Sequence, residues 1–180
     1  MANRREYEIA FVGLKPGSHE YRYEVNEQFF KDRGYTEILP ISAQVKLTLD
    51  KHNGFMILKF EIGGKTTANC DRCGNLLQLD LWDDFNMVVK LVENPDEMNN
   101  QEDDPDIWYI SRNDSHIDVS GWIYEFVLLS MPMQRMCKDD ENGNSGCNPD
   151  VIKKLEEMEK QNRDSNTNLI WKDLEKFKKN

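Results

Sequence analysis

The sequence lacks the motifs by which common enzyme classes are recognised. It has no Gly-x-x-x-x-Gly-Lys phosphate loop, no Gly-x-Ser-x-Gly nucleophile elbow and no dinucleotide-binding fingerprint. Histidine is scarce: the three are His19, His52 and His116, and none has a partner at a spacing typical of a metal site or a catalytic triad. Paired carboxylates such as Asp83-Asp84 say little about catalysis in so acidic a chain. We therefore expect a protein that is not an enzyme.

Long apolar runs are also missing. No stretch approaches the roughly 20 apolar residues that a membrane-spanning helix needs. The N-terminus is charged, and the apolar residues at 9–12 are too few for a signal peptide. We expect a cytoplasmic protein. In that compartment four cysteines are expected to be thiols or metal ligands rather than disulfides.

Acidic residues outnumber basic ones, 33 to 23, and the charge is unevenly distributed. The net charge is −10. Residues 151–180 hold eight Lys or Arg and six Asp or Glu, net +2, so the preceding 150 residues carry −12. Because an acidic surface repels phosphate backbones, nucleic-acid binding over the whole surface is not expected. The acidic body predicts contact with basic partners instead.

Alternating apolar residues predict a strand-rich first half. Tyr21, Tyr23 and Val25 share one strand face, and residues 41–50 alternate in the same way. Asn53-Gly54 predicts a tight hairpin turn, followed by a return strand over 55–62. Gly63-Gly64 is predicted to be the next turn, and residues 76–92 one or two further strands.

The second half is predicted to contain one packed helix. Residues 93–106 hold seven acidic residues, no basic residue and two prolines, which predicts a mobile acidic loop. Apolar residues then recur at helical spacing over 118–130, with Asp118 as the expected cap and Pro132 beyond the end. Residues 138–150 are a polar loop, and a charged surface helix is predicted from Asp150 to about residue 162.

These patterns favour the α+β class. We expect a mainly antiparallel, strongly twisted or barrel-like sheet with one packed helix and a charged C-terminal helical tail. The predicted organisation is an α+β core domain over residues 1–137, with the mobile acidic loop at 93–106. A polar loop and the charged helical tail follow over 138–180.

The cysteines are the residues whose pattern favours a specific chemistry. Cys70-Asp71-Arg72-Cys73-Gly74 places two sulfurs on one side of a tight turn, and the glycine permits a positive φ. With Cys137 and Cys147 these two complete the four ligands of a structural zinc site, although nine residues separate the second pair. Reduced structural thiols and a redox pair are the alternatives. Against the redox pair, Asp71 is expected to raise the thiol pKa rather than lower it.

Aromatic and basic residues alternate near the C-terminus. Trp171, Lys172, Lys176, Lys178 and Lys179 form a candidate RNA-binding set, because bases stack on aromatic rings and lysines hold phosphates. The alternative is a terminal helix docked through its apolar residues, with solvated lysines.

The order of these features resembles a known family. A strand-rich half precedes Cys70-Asp71-Arg72-Cys73 and the acidic insertion. A helix ending in Leu128-Leu129-Ser130-Met131-Pro132-Met133 follows, then Cys137, and last Trp171-Lys172-Asp173-Leu174. This order resembles the YceD family, the large ribosomal RNA subunit accumulation proteins of bacteria and plastids. The resemblance implies a role in the synthesis, processing or stability of large-subunit ribosomal RNA, and no catalytic residue.

The sequence therefore supports one expectation and two alternatives. The expectation is a non-enzymatic factor in ribosome assembly whose partners are large-subunit ribosomal RNA precursor, a basic large-subunit ribosomal protein, or both. Arg72 joins the C-terminal set as a candidate contact to RNA or partner. The alternatives are a zinc-knuckle protein–protein adaptor without RNA contact and a Cys-x-x-Cys thiol oxidoreductase.

Overall fold

The computed structural model of the chain describes residues 6–34, 40–139, 141, 143 and 145–165. The strands are β1 (Glu8–Ile9), β2 (Gly17–Asn26), β3 (Ile41–Lys51), β4 (Phe55–Asn69), β5 (Leu76–Val92), β6 (Ile107–Ser111) and β7 (Ile117–Asp118). The helices in this part of the chain are α1 (Glu27–Lys31), α2 (Pro95–Gln101), α3 (Ser120–Leu129) and α4 (Pro149–Ser165), and a 3₁₀ turn covers Phe11–Gly13. The α+β class is confirmed.

The main sheet is mixed and open. Its order is β2-β3-β4-β5-β6, with β2–β3 and β3–β4 antiparallel. The connection between β4 and β5 is too short for a parallel crossover, whereas β6 lies parallel to β5 because the chain returns through α2. β1 and β7 form a separate antiparallel pair. The expectation of a mainly antiparallel, barrel-like sheet therefore fits only in part: within the described residues the sheet ends at β2 and β6 and does not close.

The hairpin between β3 and β4 confirms one turn prediction and contradicts another. Gly54 has φ +87°, and the amide of His52 donates to the carbonyl of Phe55 at 3.0 Å. The turn predicted at Gly63-Gly64 is wrong, because β4 continues through both glycines to Asn69. Gly64 lies opposite Ala43, at a point where the two strands approach too closely for a side chain.

The core lies where the inward faces of the strands meet α3. The buried residues of β3 alternate as predicted, those of β4 alternate as well, and α3 contributes Ile123, Phe126 and Val127. The ring of Phe126 stacks on Phe85, with ring centroids 4.5 Å apart. α3 spans ten residues, slightly less than predicted. Its cap position is Val119 rather than the expected Asp118, although the Asp118 carboxylate accepts the amide of Ser120, the first residue of α3, at 2.8 Å. The packed helix is thus confirmed.

The acidic stretch at 93–106 contains a helix that composition alone did not predict. Pro95 begins α2, and two acidic residues lie in its first turn, where both residue types favour a helix start. The side-chain amide of Asn99 accepts from the amide of Tyr109 and donates to its carbonyl, both at 2.9 Å. This contact pairs the outer edge of β6 at Tyr109. The predicted mobility of the stretch is a separate property and stays a prediction.

The contacts divide the chain into two units. One comprises Met1–Ala68 and Gln78–Met133, and the other comprises Asn69–Leu77 and Gln134–Asn180. The described part of the second unit contains α4, which lies where a charged helix was predicted and is mostly exposed. None of the helices in the described ranges combines the length and the apolar character needed to cross a membrane.

Candidate metal centre

Residues 70–74, the Cys70 turn, form a compact loop closed by backbone hydrogen bonds. The amide of Cys70 donates to the carbonyl of Asn75 at 2.7 Å, and the amide of Gly74 donates to the carbonyl of Cys70 at 2.9 Å. Gly74 has φ +75°, the left-handed conformation anticipated from the sequence. Cys70 is buried and Cys73 is half-buried.

The second pair of cysteines is brought together by a loop that folds back on itself. Cys137 and Cys147 are far apart in sequence, yet Gly146 lies directly against the carbonyl oxygen of Lys138, where a Cβ would collide. The amide of Cys147 donates to the Ser145 hydroxyl at 3.3 Å. A glycine at position 146 thus permits the close approach that compensates for the long spacing.

The distances between the four sulfurs are compatible with a tetrahedral metal site. All four lie within 4.8 Å of one another, with Cys70 Sγ 3.8 Å from Cys147 Sγ and Cys73 Sγ 3.6 Å from Cys137 Sγ. A tetrahedron with metal–sulfur bonds of about 2.3 Å has edges of about 3.8 Å. A disulfide needs about 2.05 Å. Among the described residues this is the cluster of metal-ligating side chains that meets the geometry of a metal site.

Backbone amides around the sulfurs favour thiolates. Burial alone would raise the pKa of Cys70, but hydrogen bonds from the backbone of Cys73, Arg72 and Cys137 lower it to about 6. The backbone of Asn148 and Asn75 likewise lowers the pKa of Cys73. The expectation of a raised thiol pKa is wrong for Cys70 and Cys73, because these backbone amides lower the pKa of both.

Cys137 behaves in the opposite way. Burial and hydrogen bonds with the other three sulfurs raise its pKa to about 12. Loss of the Cys137 proton is therefore disfavoured beside the other sulfurs. A bound dication would favour the deprotonated form of all four ligands, since its charge offsets the repulsion between thiolates.

The second unit has almost no apolar core of its own. Among its described residues, the two buried side chains are Cys70 and Cys147. Leu155 and Met158 of α4 are 39% and 60% exposed. A unit that buries so little apolar surface needs another source of stability, and small domains commonly use a metal or disulfides.

A salt bridge fastens the Cys70 turn to the segment before Cys137. Asp71 accepts from the Arg135 backbone amide at 2.8 Å and from its guanidinium at 3.1 Å, while the Asp71 amide donates to the Arg135 carbonyl at 2.7 Å. The Arg135 amide and charge lower the pKa of Asp71. Sequence reasoning missed Arg135, because nothing in the linear spacing connects it to the turn.

The structure brings together part of the predicted site. Cys70, Cys73, Cys137 and Cys147 converge, and Arg72 lies beside them, with its guanidinium 3.4 Å from the Ser145 hydroxyl and 3.5 Å from the Met136 sulfur. The C-terminal candidates lie outside the described residues: Trp171, Lys172, Lys176, Lys178 and Lys179.

Comparison with known protein families identifies a match over most of the chain. A family model described as Large ribosomal RNA subunit accumulation protein YceD matches residues 58–178. The matched range includes all four cysteines and α3. No curated protein and no solved structure matches the chain.

Proposed function

Because the chain belongs to the YceD family, we propose that it is a non-enzymatic, cytoplasmic factor that supports the synthesis, processing or stability of large-subunit ribosomal RNA. The family match over residues 58–178 is the observation that carries this proposal. The absence of enzyme motifs from the sequence agrees with it.

Zinc is the cofactor that the ligand set fits. Four thiols at tetrahedral distances are typical of structural zinc sites, and iron is the alternative for the same ligands. Cys70, Cys73, Cys137 and Cys147 would hold the ion. With four protein ligands the site has no open position for a substrate, so the ion would support folding rather than catalysis.

The uneven charge favours two kinds of contact. The acidic body, net −12 over residues 1–150, suits a basic ribosomal protein. The basic tail at 151–180, net +2, suits RNA, with Trp171, Lys172, Lys176, Lys178 and Lys179 as its candidate contacts. Arg72 is a further candidate, because its side chain is exposed beside the cysteines.

Sedimentation of the tagged full-length protein tests the proposed role. Lysate is run through a sucrose gradient at low and at moderate salt, and the protein is located relative to ribosomal particles. We expect the protein to co-migrate with large-subunit precursors but not with mature subunits. Its association with the precursors should weaken with salt in proportion to the number of ionic contacts. Protein that stays at the top of the gradient at both salts would contradict the proposal.

Two variants distinguish the proposal from the adaptor alternative. The cluster of four cysteines would also suit a protein–protein adaptor. Deletion of 151–180 should weaken RNA association if the tail contacts RNA. An adaptor without RNA contact would tolerate the deletion but lose its partner on charge reversal of residues 93–106. A thiol oxidoreductase would show a Cys70–Cys73 disulfide that cycles with thioredoxin-like partners.

A further inference from the structure

A groove at one end of the sheet has two tryptophans in its wall. It has a volume of about 440 Å³ and lies in the first unit, between β6, β7 and α3. Trp108 is 45% exposed, and Trp122 is fixed by edge-on contact with Phe60. Met87 and Ile117 are buried and form its apolar floor. An exposed indole in the wall of a groove is a surface that a ligand can cover.

The charge at this groove is negative. Asp118 and Glu125 line it, and no Lys or Arg does. Pro105, also in the lining, lies between the exposed Asp104 and Asp106. Among the described residues, neither Glu125 nor Asp106 takes part in an ion pair. A concave site with the carboxylate of Glu125 in its wall and further carboxylates beside it attracts cations and repels phosphate.

The neighbouring strand edge constrains how a ligand can bind. β6 ends the sheet, but Asn99 already pairs with the amide and carbonyl of Tyr109. A partner therefore cannot add a strand at this point without displacing Asn99. Recognition is left to side chains that enter the groove, and long cationic side chains fit because their stems are apolar and their heads stack on indole rings.

We propose that this groove binds Lys or Arg side chains from a basic segment of a partner protein. The cation lies against Trp108 with Glu125 as its counter-charge, and the aliphatic stem contacts the apolar floor. The inference deepens the protein-partner half of the proposed function and rests on it only for the source of the basic segment.

Titration with a defined peptide tests the groove. A short fluorescein-labelled peptide of alternating Arg and Gly is titrated into the full-length protein, and its anisotropy gives Kd. We expect Trp108→Ala to weaken binding about tenfold, since the cation loses its aromatic face. Glu125→Gln should weaken it about threefold, since an exposed counter-charge is lost. Both residues are at least partly exposed, and amide spectra verify that each variant is folded.

Matched variants outside the groove provide the controls. Trp82→Ala removes a tryptophan that is 82% exposed elsewhere on β5, and Glu24→Gln removes an exposed carboxylate of β2. Both should leave Kd unchanged. Equal losses in groove and control variants would overturn the proposal, as would a wild-type protein that does not bind the peptide.

An RNA ligand is the competing outcome. A single-stranded oligouridylate whose binding is lost in Trp108→Ala, when the Arg-Gly peptide does not bind, would overturn the basic-peptide assignment. The gradient experiment keeps the two proposals separable. Precursor co-migration without peptide binding removes only the groove inference, and peptide binding at the groove without co-migration removes only the ribosomal role.

Discussion

Gly64 shows how the absence of one side chain sets the spacing between two strands. A Cβ at this position would lie 2.5 Å from the Ser42 carbonyl oxygen and 2.7 Å from the Ala43 Cα. A Cβ on the adjacent Gly63 would have no heavy atom within 4 Å. Two glycines that look equivalent in sequence are therefore different in the sheet, and only Gly64 is sterically required.

Alanine at the two positions should separate their roles. Gly64→Ala is expected to lower the free energy of unfolding by about 1–3 kcal/mol, because backbone atoms must move to make room. Gly63→Ala, the matched control, should change it by no more than about 0.5 kcal/mol. Urea unfolding of both variants measures the difference. Equal effects would show that β3 and β4 do not approach closely at Gly64.

A small number of polar contacts join α2 and the residue after it to β6. Besides the Asn99 contacts, the Tyr109 hydroxyl donates to the Glu102 carboxylate at 2.7 Å. This hydrogen bond lowers the pKa of Glu102 below its usual 4.5 and raises that of Tyr109. Composition assigned residues 93–106 to an acidic loop. At least one of its carboxylates, that of Glu102, is held by a hydrogen bond to Tyr109.

The hydrogen bond between Tyr109 and Glu102 should weaken in acid. Because the pKa of Glu102 is lower in the folded chain than in the unfolded one, its stabilising contribution is present above about pH 4.5. It is lost as the pH falls through the folded pKa. Hydrogen exchange at the Tyr109 amide, corrected for the intrinsic rate, should then accelerate. Glu102→Gln should lose this pH dependence, while Asp103→Asn, an exposed neighbour, should keep it.

The two units of the chain differ in how many apolar side chains they bury. The first contains the continuous apolar cluster, from Tyr7 to Val127. In the second, the buried side chains among the described residues are two cysteines. Metal binding at sites of this kind contributes about 10–16 kcal/mol in isolated zinc fingers, enough to decide whether a small unit folds.

Metal removal should therefore unfold one unit and spare the other. The purified protein is expected to contain one zinc ion per chain, and chelation should collapse the amide signals of the Cys70 turn and α4 while those of β2–β4 persist. Elemental analysis measures the zinc content, and amide spectra before and after chelation measure the loss of folded structure in each unit. Cys137→Ser should reproduce the chelated spectrum. A second unit that keeps its spectrum without metal would show that the cysteines are merely packed thiols.

The sequence by itself determined the elements whose cause is local. Alternation predicted the inward faces of β2 and β3, and Asn53-Gly54 predicted the hairpin between β3 and β4. Helical periodicity predicted α3, and Cys-x-x-Cys-Gly predicted the turn that holds two of the four clustered cysteines. Each depends on residues within a few positions of one another. For the same reason α2 was missed: composition outweighed the helix-start residues at 95–97.

Only the tertiary structure decided what depends on distant residues. The sequence named Cys137 and Cys147 as the second pair of candidate ligands, but their nine-residue separation did not fix the distances between the four sulfurs. The Asp71–Arg135 salt bridge, the course of β4 through Gly64 and the groove at Trp108 likewise join segments far apart in the chain. Local propensity carries no information about such contacts, because they arise when separate elements pack.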